Sequence, residues 1–159
     1  MICPTGNAMC GAAPSWEAAT WDELVSDMDR DLEASVAIVE KKHPGAIDRT
    51  TAVLTGYSRG AYAAPVIARR HPNRWPYLIL IEANVALRAD SLIQSGVKAV
   101  ALVAGELGAE IADERRTEAK LLKDGFRAKL FVMPKTGHLY SDDMERVMSD
   151  ALSFVLAED

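Results

Sequence analysis

The chain has 159 residues, enough for one ordinary domain, and 49% hydrophobic with 26% charged residues is the composition of a folded protein. The net charge is −5 and the basic residues are scattered, which argues against nucleic acid as a partner. No apolar run approaches the roughly 20 residues needed to span a bilayer, and no signal peptide is visible, so we expect a cytoplasmic protein with no membrane partner. Cys3 and Cys10 are too far apart for a C-x-x-C metal or redox site.

The segments along the chain alternate between helical and strand periods. Thr20 and Glu23 form a predicted capping box, and apolar residues every three or four positions continue a helix to about Lys42. An apolar strand at 52–55 leads into a helix of small residues that ends near His71. Further strands are predicted at 78–81, 99–103 and 130–132, and further helices at 89–94, 111–123 and, with Ser141 as its cap, from there to Val155.

Continuous apolar strands that alternate with amphipathic helices are typical of a parallel sheet covered on both faces. The predicted fold class is therefore α/β, with a mostly parallel sheet between two layers of helices. The sequence shows no internal repeat and no low-complexity linker. We expect a single domain over residues 1–159.

The stretch Gly56-Tyr57-Ser58-Arg59-Gly60 matches the pattern G-x-S-x-G, directly after a predicted strand and before a predicted helix. Such a sharp turn forces its central residue into strained backbone angles, so the glycines at 56 and 60 are expected to avoid clashes. It also exposes the Ser58 hydroxyl at the carboxyl edge of the sheet, beside the N–H of Arg59. Ser58 is the predicted nucleophile and Arg59 the predicted oxyanion-hole donor; the alternative is an ordinary glycine-flanked turn.

A serine hydroxyl needs a base, and three histidines are available. His43 and His71 each precede a proline at a helix end, where a histidine is more often exposed to solvent. His138 instead lies in a loop that leaves the last predicted strand, at the same sheet edge as Ser58. His138 is therefore the predicted base, the alternative being a loop histidine without a role.

The sequence leaves the acid open. It is expected just past the strand that ends at Ala104, where Glu106 and Glu110 follow. Asp113, further into the next helix, and Glu82, at the end of the preceding strand, are further possibilities. Each of these carboxylates could equally be a solvated surface charge.

With these residues the chain resembles the α/β-hydrolase superfamily of serine hydrolases, particularly its compact esterase, thioesterase and dienelactone-hydrolase-like members. The resemblance rests on the turn at 56–60, the strand exit at 103–106 and Thr136-Gly137-His138, within residues 50 to 159. It implies a triad of serine, acid and histidine, a small-molecule ester substrate, and no metal or organic cofactor. Relatives often carry Gly-Glu-x-Asp after that strand, the aspartate being the acid, but here Gly108 stands at its position.

The resemblance also implies that strands are missing. A complete hydrolase domain has about eight strands, and we count about five, including a short stub at Ile2-Cys3. We therefore expect the C-terminal part of the fold, with the stub or the strand at 52–55 as a sheet edge. Because unpaired backbone groups at an edge invite pairing with another chain, we expect a homodimer across this N-terminal edge, or association with a fragment that carries the first strands.

The leading interpretation is a serine hydrolase that cleaves small carboxylic esters or thioesters through an acyl-enzyme on Ser58, with His138 as base and Glu106 or Glu110 orienting the imidazole. The segment between Ala83 and Lys98 is too short for a large cap domain, which favours an open site and small substrates. An alternative is a non-catalytic or degraded hydrolase fold that serves as a binding module, which Gly108 and the missing strands favour. A Rossmann or flavodoxin-like nucleotide binder is disfavoured, because no G-x-G-x-x-G follows the first strand.

Overall fold

The computed structural model describes residues 1–2, 4, 6–10 and 13–157 of the chain. It divides into two compact units, Met1–Asp48 and Arg49–Asp159, which are described separately below. Within the described ranges, no helix has both the length and the apolar character needed to cross a membrane. The prediction about the cysteines concerns Cys3 and the side chain of Cys10, which lie outside the described part of the chain.

The first unit contains a two-stranded antiparallel hairpin and one long helix. The hairpin pairs β1 (Ala8–Cys10) with β2 (Ala13–Ser15), and the helix is α1 (Trp21–Lys42). The predicted capping box is confirmed, since the Thr20 hydroxyl accepts the Glu23 N–H and the Glu23 carboxylate accepts the Thr20 N–H. These two hydrogen bonds satisfy backbone donors that no helical carbonyl can reach.

The predicted strand stub at the start of the chain is wrong as far as it is described. Ile2 is not in a strand, and Cys3 lies outside the described residues. Pro4 has no N–H to donate to a strand ladder, and Gly6 turns the chain with a φ of 75°. The first strand therefore begins at Ala8 and belongs to the hairpin.

The second unit has the predicted alternation of strands and helices. Its elements are β3 (Val53–Tyr57), α2 (Arg59–Arg70), β4 (Tyr77–Ile81), α3 (Ala89–Gln94), β5 (Ala99–Gly105), α4 (Ile111–Lys123), β6 (Arg127–Met133) and α5 (Met144–Leu156). The predicted cap of α5 is wrong: the N-cap residue is Asp143, and Ser141 contributes its carbonyl, which accepts the Met144 N–H. A turn over residues 141–143 thus precedes the helix, and the Ser141 hydroxyl does not cap it.

The four strands of this unit form a parallel sheet in the order β3-β4-β5-β6. Tyr57 pairs with Ile81, Ile81 with Val103, and Val103 with Phe131. The carboxyl ends of all four strands therefore meet at one edge of the sheet. Residues that directly follow these strands are brought together there, whatever their separation in sequence.

The sheet is covered on both faces, as the α/β prediction requires. All seven residues of β5 are buried. On one face, a buried cluster joins the sheet to α5; its members are Ile79, Ile81, Ala99, Ala101, Val103, Met133, Val147, Ala151 and Val155. The alternate residues point to the opposite face because side chains alternate along a strand, and they are also buried: Leu78, Leu80, Val100, Leu102 and Ala104.

Candidate active site

Ser58 occupies the turn between β3 and α2 and has an unusual backbone. Its φ is 50° and its ψ is −116°, a conformation that L-residues seldom adopt and that costs about 1–3 kcal/mol. The surrounding structure holds it there: the Ser58 N–H donates to the Ile81 carbonyl at 2.8 Å, and the Ser58 carbonyl accepts the Ala61 N–H. Ser58 thus lies half-buried at the carboxyl edge of the sheet, at the N-terminus of α2.

The two glycines that flank this turn differ in their roles. A Cβ at Gly56 would lie 2.2 Å from the Gly60 carbonyl oxygen, so position 56 admits no side chain without a shift of the backbone. A Cβ at Gly60 would meet no atom within 4 Å outside its own helix. The predicted steric requirement is therefore confirmed for Gly56 and wrong for Gly60, where the close approach involves the carbonyl and leaves the Cα free.

The His138 ring lies between a serine and a carboxylate. Its Nε2 is 3.1 Å from the Ser58 Oγ, and its Nδ1 is 3.2 Å from the Glu82 Oε2. With the proton on Nδ1, the ring donates to Glu82 and Nε2 can accept the serine proton. The His138 side chain is 47% exposed, whereas the Glu82 side chain is fully buried.

Two features position the loop that carries His138. Gly105 has no side chain, and a Cβ there would lie 2.4 Å from the carbonyl oxygens of Thr136 and Gly137, so the loop can approach the end of β5. The Tyr57 hydroxyl donates to the His138 carbonyl at 2.9 Å, and the centroids of the two rings are 5.4 Å apart. The residue before Ser58 therefore also holds the histidine loop.

Glu82 reaches the histidine because it directly follows β4. Its N–H donates to the Val103 carbonyl, which extends the parallel register by one residue and places Glu82 beside Ser58 at the sheet edge. Its φ of 56° lies in the left-handed region, unusual for a glutamate. The Glu82 carboxylate accepts the Gly105 N–H through Oε1 and faces His138 through Oε2. The sequence favoured Glu106 or Glu110 for this position and named Glu82 only as a further possibility.

The other three acids have different surroundings. The Glu106 carboxylate accepts the Lys135 N–H at 2.9 Å, in the loop before the histidine. Glu110 is the N-cap residue of α4; a carboxylate oxygen lies within 4.8 Å of ligand atoms of both Glu82 and His138. Asp113 accepts a hydrogen bond from the Asn84 amide. The hydrogen bonds of the His138 ring thus go to Ser58 and Glu82, and to neither Glu106 nor Glu110.

The missing side chain at Gly108 provides space for the acids. A Cβ at Gly108 would lie 3.3 Å from the Glu82 Oε2 and 3.6 Å from the Glu110 Oε2. The Glu82 carboxylate therefore lies against the position at which the resemblance to α/β-hydrolases led us to expect an aspartate. Within the described chain, the Glu110 Oε2 is buried without a hydrogen-bond partner.

Burial dominates the electrostatics of these carboxyl groups. Burial raises the pKa of Glu82, against the opposing effects of the Gly105 N–H and His138, while the nearby Glu110 adds to the increase. Burial likewise raises the pKa of Glu114, on α4, to about 8, although the Ala83 N–H stabilises its charged form. Because Glu114 keeps its proton at neutral pH, it adds no second full negative charge near Glu82.

The expected oxyanion donor and a possible metal-binding group are both at this edge. Arg59 is the first residue of α2, so no helical carbonyl accepts its N–H, and in sequence this N–H directly follows Ser58.

A possible metal-binding group is formed by Glu82, Glu110 and His138. Each offers one ligand atom, and these atoms all lie within 4.8 Å of one another. Glu82 and His138 also form the hydrogen bond that orients the imidazole.

Comparison with solved structures identifies the fold. Esterase PE8 matches over 96% of this chain and 76% of its own, with 19% identity and a TM-score of 0.65. A feruloyl esterase module from Clostridium thermocellum and the fluorophosphonate-binding serine hydrolase FphF from Staphylococcus aureus each give 12% identity and a TM-score of 0.62. They match over 85% and 84% of this chain, which covers 61% and 64% of their lengths.

These matches show that the chain has an α/β-hydrolase-like fold, as the sequence motifs predict. The similarity to PE8, the feruloyl esterase module and FphF is one of fold, because the sequence identities are low. No protein-family model matches the sequence, and no curated protein does.

Proposed function

We propose that this protein is a serine hydrolase that cleaves small carboxylic esters or thioesters, with Ser58 as nucleophile, His138 as base and Glu82 as acid. The observation that carries the proposal is the continuous chain of contacts from the Ser58 Oγ through the His138 ring to the Glu82 carboxylate, at 3.1 and 3.2 Å. Its three members come from residues 58, 82 and 138 in the order serine, acid, histidine that hydrolases of this architecture use.

The strained backbone of Ser58 supports the role of nucleophile. A strand-to-helix turn with a positive φ at its central residue presents the hydroxyl at the top of the sheet, which is the function of a nucleophile elbow. The close approach of Gly56 and Gly60 makes this turn tight. A turn that costs conformational energy without any use of its hydroxyl would be harder to explain.

The proposed acylation step begins with attack of the Ser58 Oγ on the carbonyl carbon of the ester. His138 Nε2 takes the serine proton as the new C–O bond forms, and the buried Glu82 carboxylate stabilises the imidazolium through Nδ1. The Arg59 N–H, at the N-terminus of α2, donates to the oxyanion. When the tetrahedral intermediate collapses, the C–O bond of the ester or the C–S bond of the thioester breaks, and His138 gives its proton to the leaving alcohol or thiol.

Deacylation repeats these steps with water as the nucleophile. His138 removes a proton from water, the hydroxide oxygen attacks the acyl carbon, and the Ser58 Oγ leaves with that proton. The acid is released and the enzyme returns to its starting state. The reaction needs no redox partner or metal, because each proton moves between His138 and the reacting oxygen or sulfur atom.

The surroundings of the histidine favour small substrates. Leu139 is 70% exposed and Leu107 is 71% exposed, on the loops that flank the sheet edge. The segment between β4 and β5 contains only the short helix α3, in place of a cap domain. An open site of this kind gives little apolar enclosure for a long acyl chain, so we propose short-chain esters as the substrate class.

Hydrolysis of p-nitrophenyl acetate tests the proposal directly. Ser58→Ala should abolish the activity while the circular dichroism spectrum stays unchanged, because the hydroxyl lies at a turn and its loss leaves apolar packing intact. Thr55→Ala, which removes an exposed hydroxyl from the strand before the turn, is the matched control and should retain activity. Undiminished turnover by Ser58→Ala would refute the assignment of the nucleophile.

A further inference from the structure

Helix α4 fastens the segment that follows Glu82. The Glu114 side chain is fully buried, and its Oε1 accepts the N–H of Ala83, the residue after Glu82, at 3.0 Å. This hydrogen bond crosses from the helix to the sheet edge and is itself buried. It fixes the orientation of the peptide group between Glu82 and Ala83. The backbone to which the Glu82 side chain is attached is therefore also fixed.

Two neighbouring side chains of α4 make contacts with the next two residues. The Asp113 carboxylate accepts from the Asn84 amide at 3.3 Å, and the Thr117 hydroxyl donates to the Val85 carbonyl at 3.4 Å. Residues 113, 114 and 117 thus contact residues 84, 83 and 85 in turn. The Glu114 bond is the shortest and the only buried one of these three.

We propose that Glu114 is a positioning residue for the hydrolytic reaction, which holds the Ala83 peptide so that the Glu82 carboxylate is aimed at His138 Nδ1. This inference rests on the proposed function and extends it to a residue that contacts neither the substrate nor the histidine. Glu82 needs such support, since a left-handed backbone at a glutamate persists where the surroundings hold it. The Gly105 N–H holds one end of the Glu82 side chain, and Glu114 holds the backbone at the other.

A glutamate can occupy this buried position because burial favours the neutral form of its carboxyl group. The Glu114 Oε2 is buried and makes no hydrogen bond within the described residues. The acidic groups that act on Glu114 are Glu82 and Glu110, both of which disfavour its ionisation. As a neutral acid, Glu114 can accept the Ala83 N–H without repelling the Glu82 carboxylate, whose negative charge the imidazolium requires.

Two substitutions of Glu114 separate its hydrogen bond from its volume. Glu114→Met keeps the length of the side chain and removes the acceptor, so kcat for p-nitrophenyl acetate should fall by about tenfold or more, with KM little changed. Glu114→Gln keeps an acceptor oxygen and should restore most of that loss. Glu118→Met is the matched control: Glu118, on the same helix, accepts the Leu130 N–H on β6, away from Glu82, and its loss should leave kcat within about twofold.

A double-mutant cycle distinguishes positioning from general stability. In a Glu82→Gln background the acid is already lost, so Glu114→Met should produce little further decrease in kcat. The proposal would be overturned if Glu114→Met lowered kcat by the same factor in the wild-type and Glu82→Gln backgrounds. It would also be overturned if Glu114→Met left kcat unchanged. Loss of activity in Glu114→Gln equal to that in Glu114→Met would also overturn it.

Proton NMR reports directly on the hydrogen bond between His138 and Glu82. The downfield resonance of the His138 Nδ1 proton should be present in the wild type and in Glu114→Gln, and it should be lost in Glu82→Gln and in a folded Glu114→Met. A folded Glu114→Met that keeps the wild-type resonance would refute the positioning role. If Ser58→Ala retained full activity, the proposed function itself would fail, whereas an inactive Ser58→Ala with an unaffected Glu114→Met would remove the positioning role alone.

Discussion

Substitution of Glu114 by glutamine should stabilise the protein in a pH-dependent way. In the folded state, burial raises the pKa of Glu114 to about 8, against an ordinary value of 4.5. Between these two values the unfolded chain has released the proton that the folded chain still holds, so stability falls as pH rises, by up to about 1.4 kcal/mol for each pH unit. The loss from this group is about 2.5 kcal/mol between pH 5 and 7, and it levels off above about pH 8.

The glutamine variant cannot titrate at this position, and its amide oxygen can still accept the Ala83 N–H. Its free energy of unfolding relative to the wild type should therefore increase by about 2.5 kcal/mol from pH 5 to pH 7. Urea unfolding at pH 5, 6, 7 and 8, followed by tryptophan fluorescence, measures this difference. Glu118→Gln is the control, because it alters another α4 carboxylate that accepts a backbone N–H. If the difference in unfolding free energy between the wild type and Glu114→Gln did not change with pH, the reasoning would be refuted.

Three further predictions concern the acid, the turn and assembly. Glu82→Gln should lower kcat by about 10²–10⁴-fold. Glu106→Gln should lower kcat by less than about threefold, because the new amide can still accept the Lys135 N–H. If Glu106→Gln had the larger effect, Glu106 would be identified as the acid. Gly56→Ala should destabilise the protein by about 1–3 kcal/mol in thermal unfolding, whereas Gly60→Ala should be tolerated. Equal destabilisation by the two substitutions would contradict the finding that a Cβ is crowded at position 56 and free at position 60. We also propose a homodimer through β3, the outermost strand at one side of the described sheet, which sedimentation at micromolar concentration would detect and a strictly monomeric species would contradict.

The order of helices and strands in the second unit could be predicted because each element has a clear period. Apolar runs such as Leu78–Ile81 are buried on both faces, and α4 begins and ends where its amphipathic pattern does. The capping box at Thr20 is a local signal that needs no tertiary contact. The start of α5 was predicted wrongly, because a turn over residues 141–143 separates Ser141 from the helix and leaves Asp143 as the N-cap residue.

The nucleophile and the histidine could be proposed from sequence, but for the acid the sequence favoured Glu106 or Glu110 over Glu82. Glu82 is selected by the register of β3 against β4, by its own left-handed backbone and by the space at Gly108. None of these is a local property of the sequence. The available signal was a charged residue directly after the buried strand at 77–81, at the sheet edge where Ser58 lies.

The role of Glu114 was also beyond the reach of periodicity. A glutamate in the first turns of an exposed, charge-rich helix is ordinarily solvated, and the sequence gives no reason to expect otherwise. Its burial follows from the path of residues 83–85, which pass over α4 after the sheet edge. Such contacts between a helix and a distant loop depend on tertiary structure.

Reaction with a fluorophosphonate probe tests the central claim most directly, because such probes react quickly with a serine that a histidine and an acid activate. The wild-type protein should be labelled at neutral pH, with the adduct located on Ser58 by peptide mass spectrometry. The labelling rate should fall sharply in His138→Ala and in Glu82→Gln. A folded wild-type protein that is not labelled, or that carries the adduct on another residue, would contradict the proposed triad.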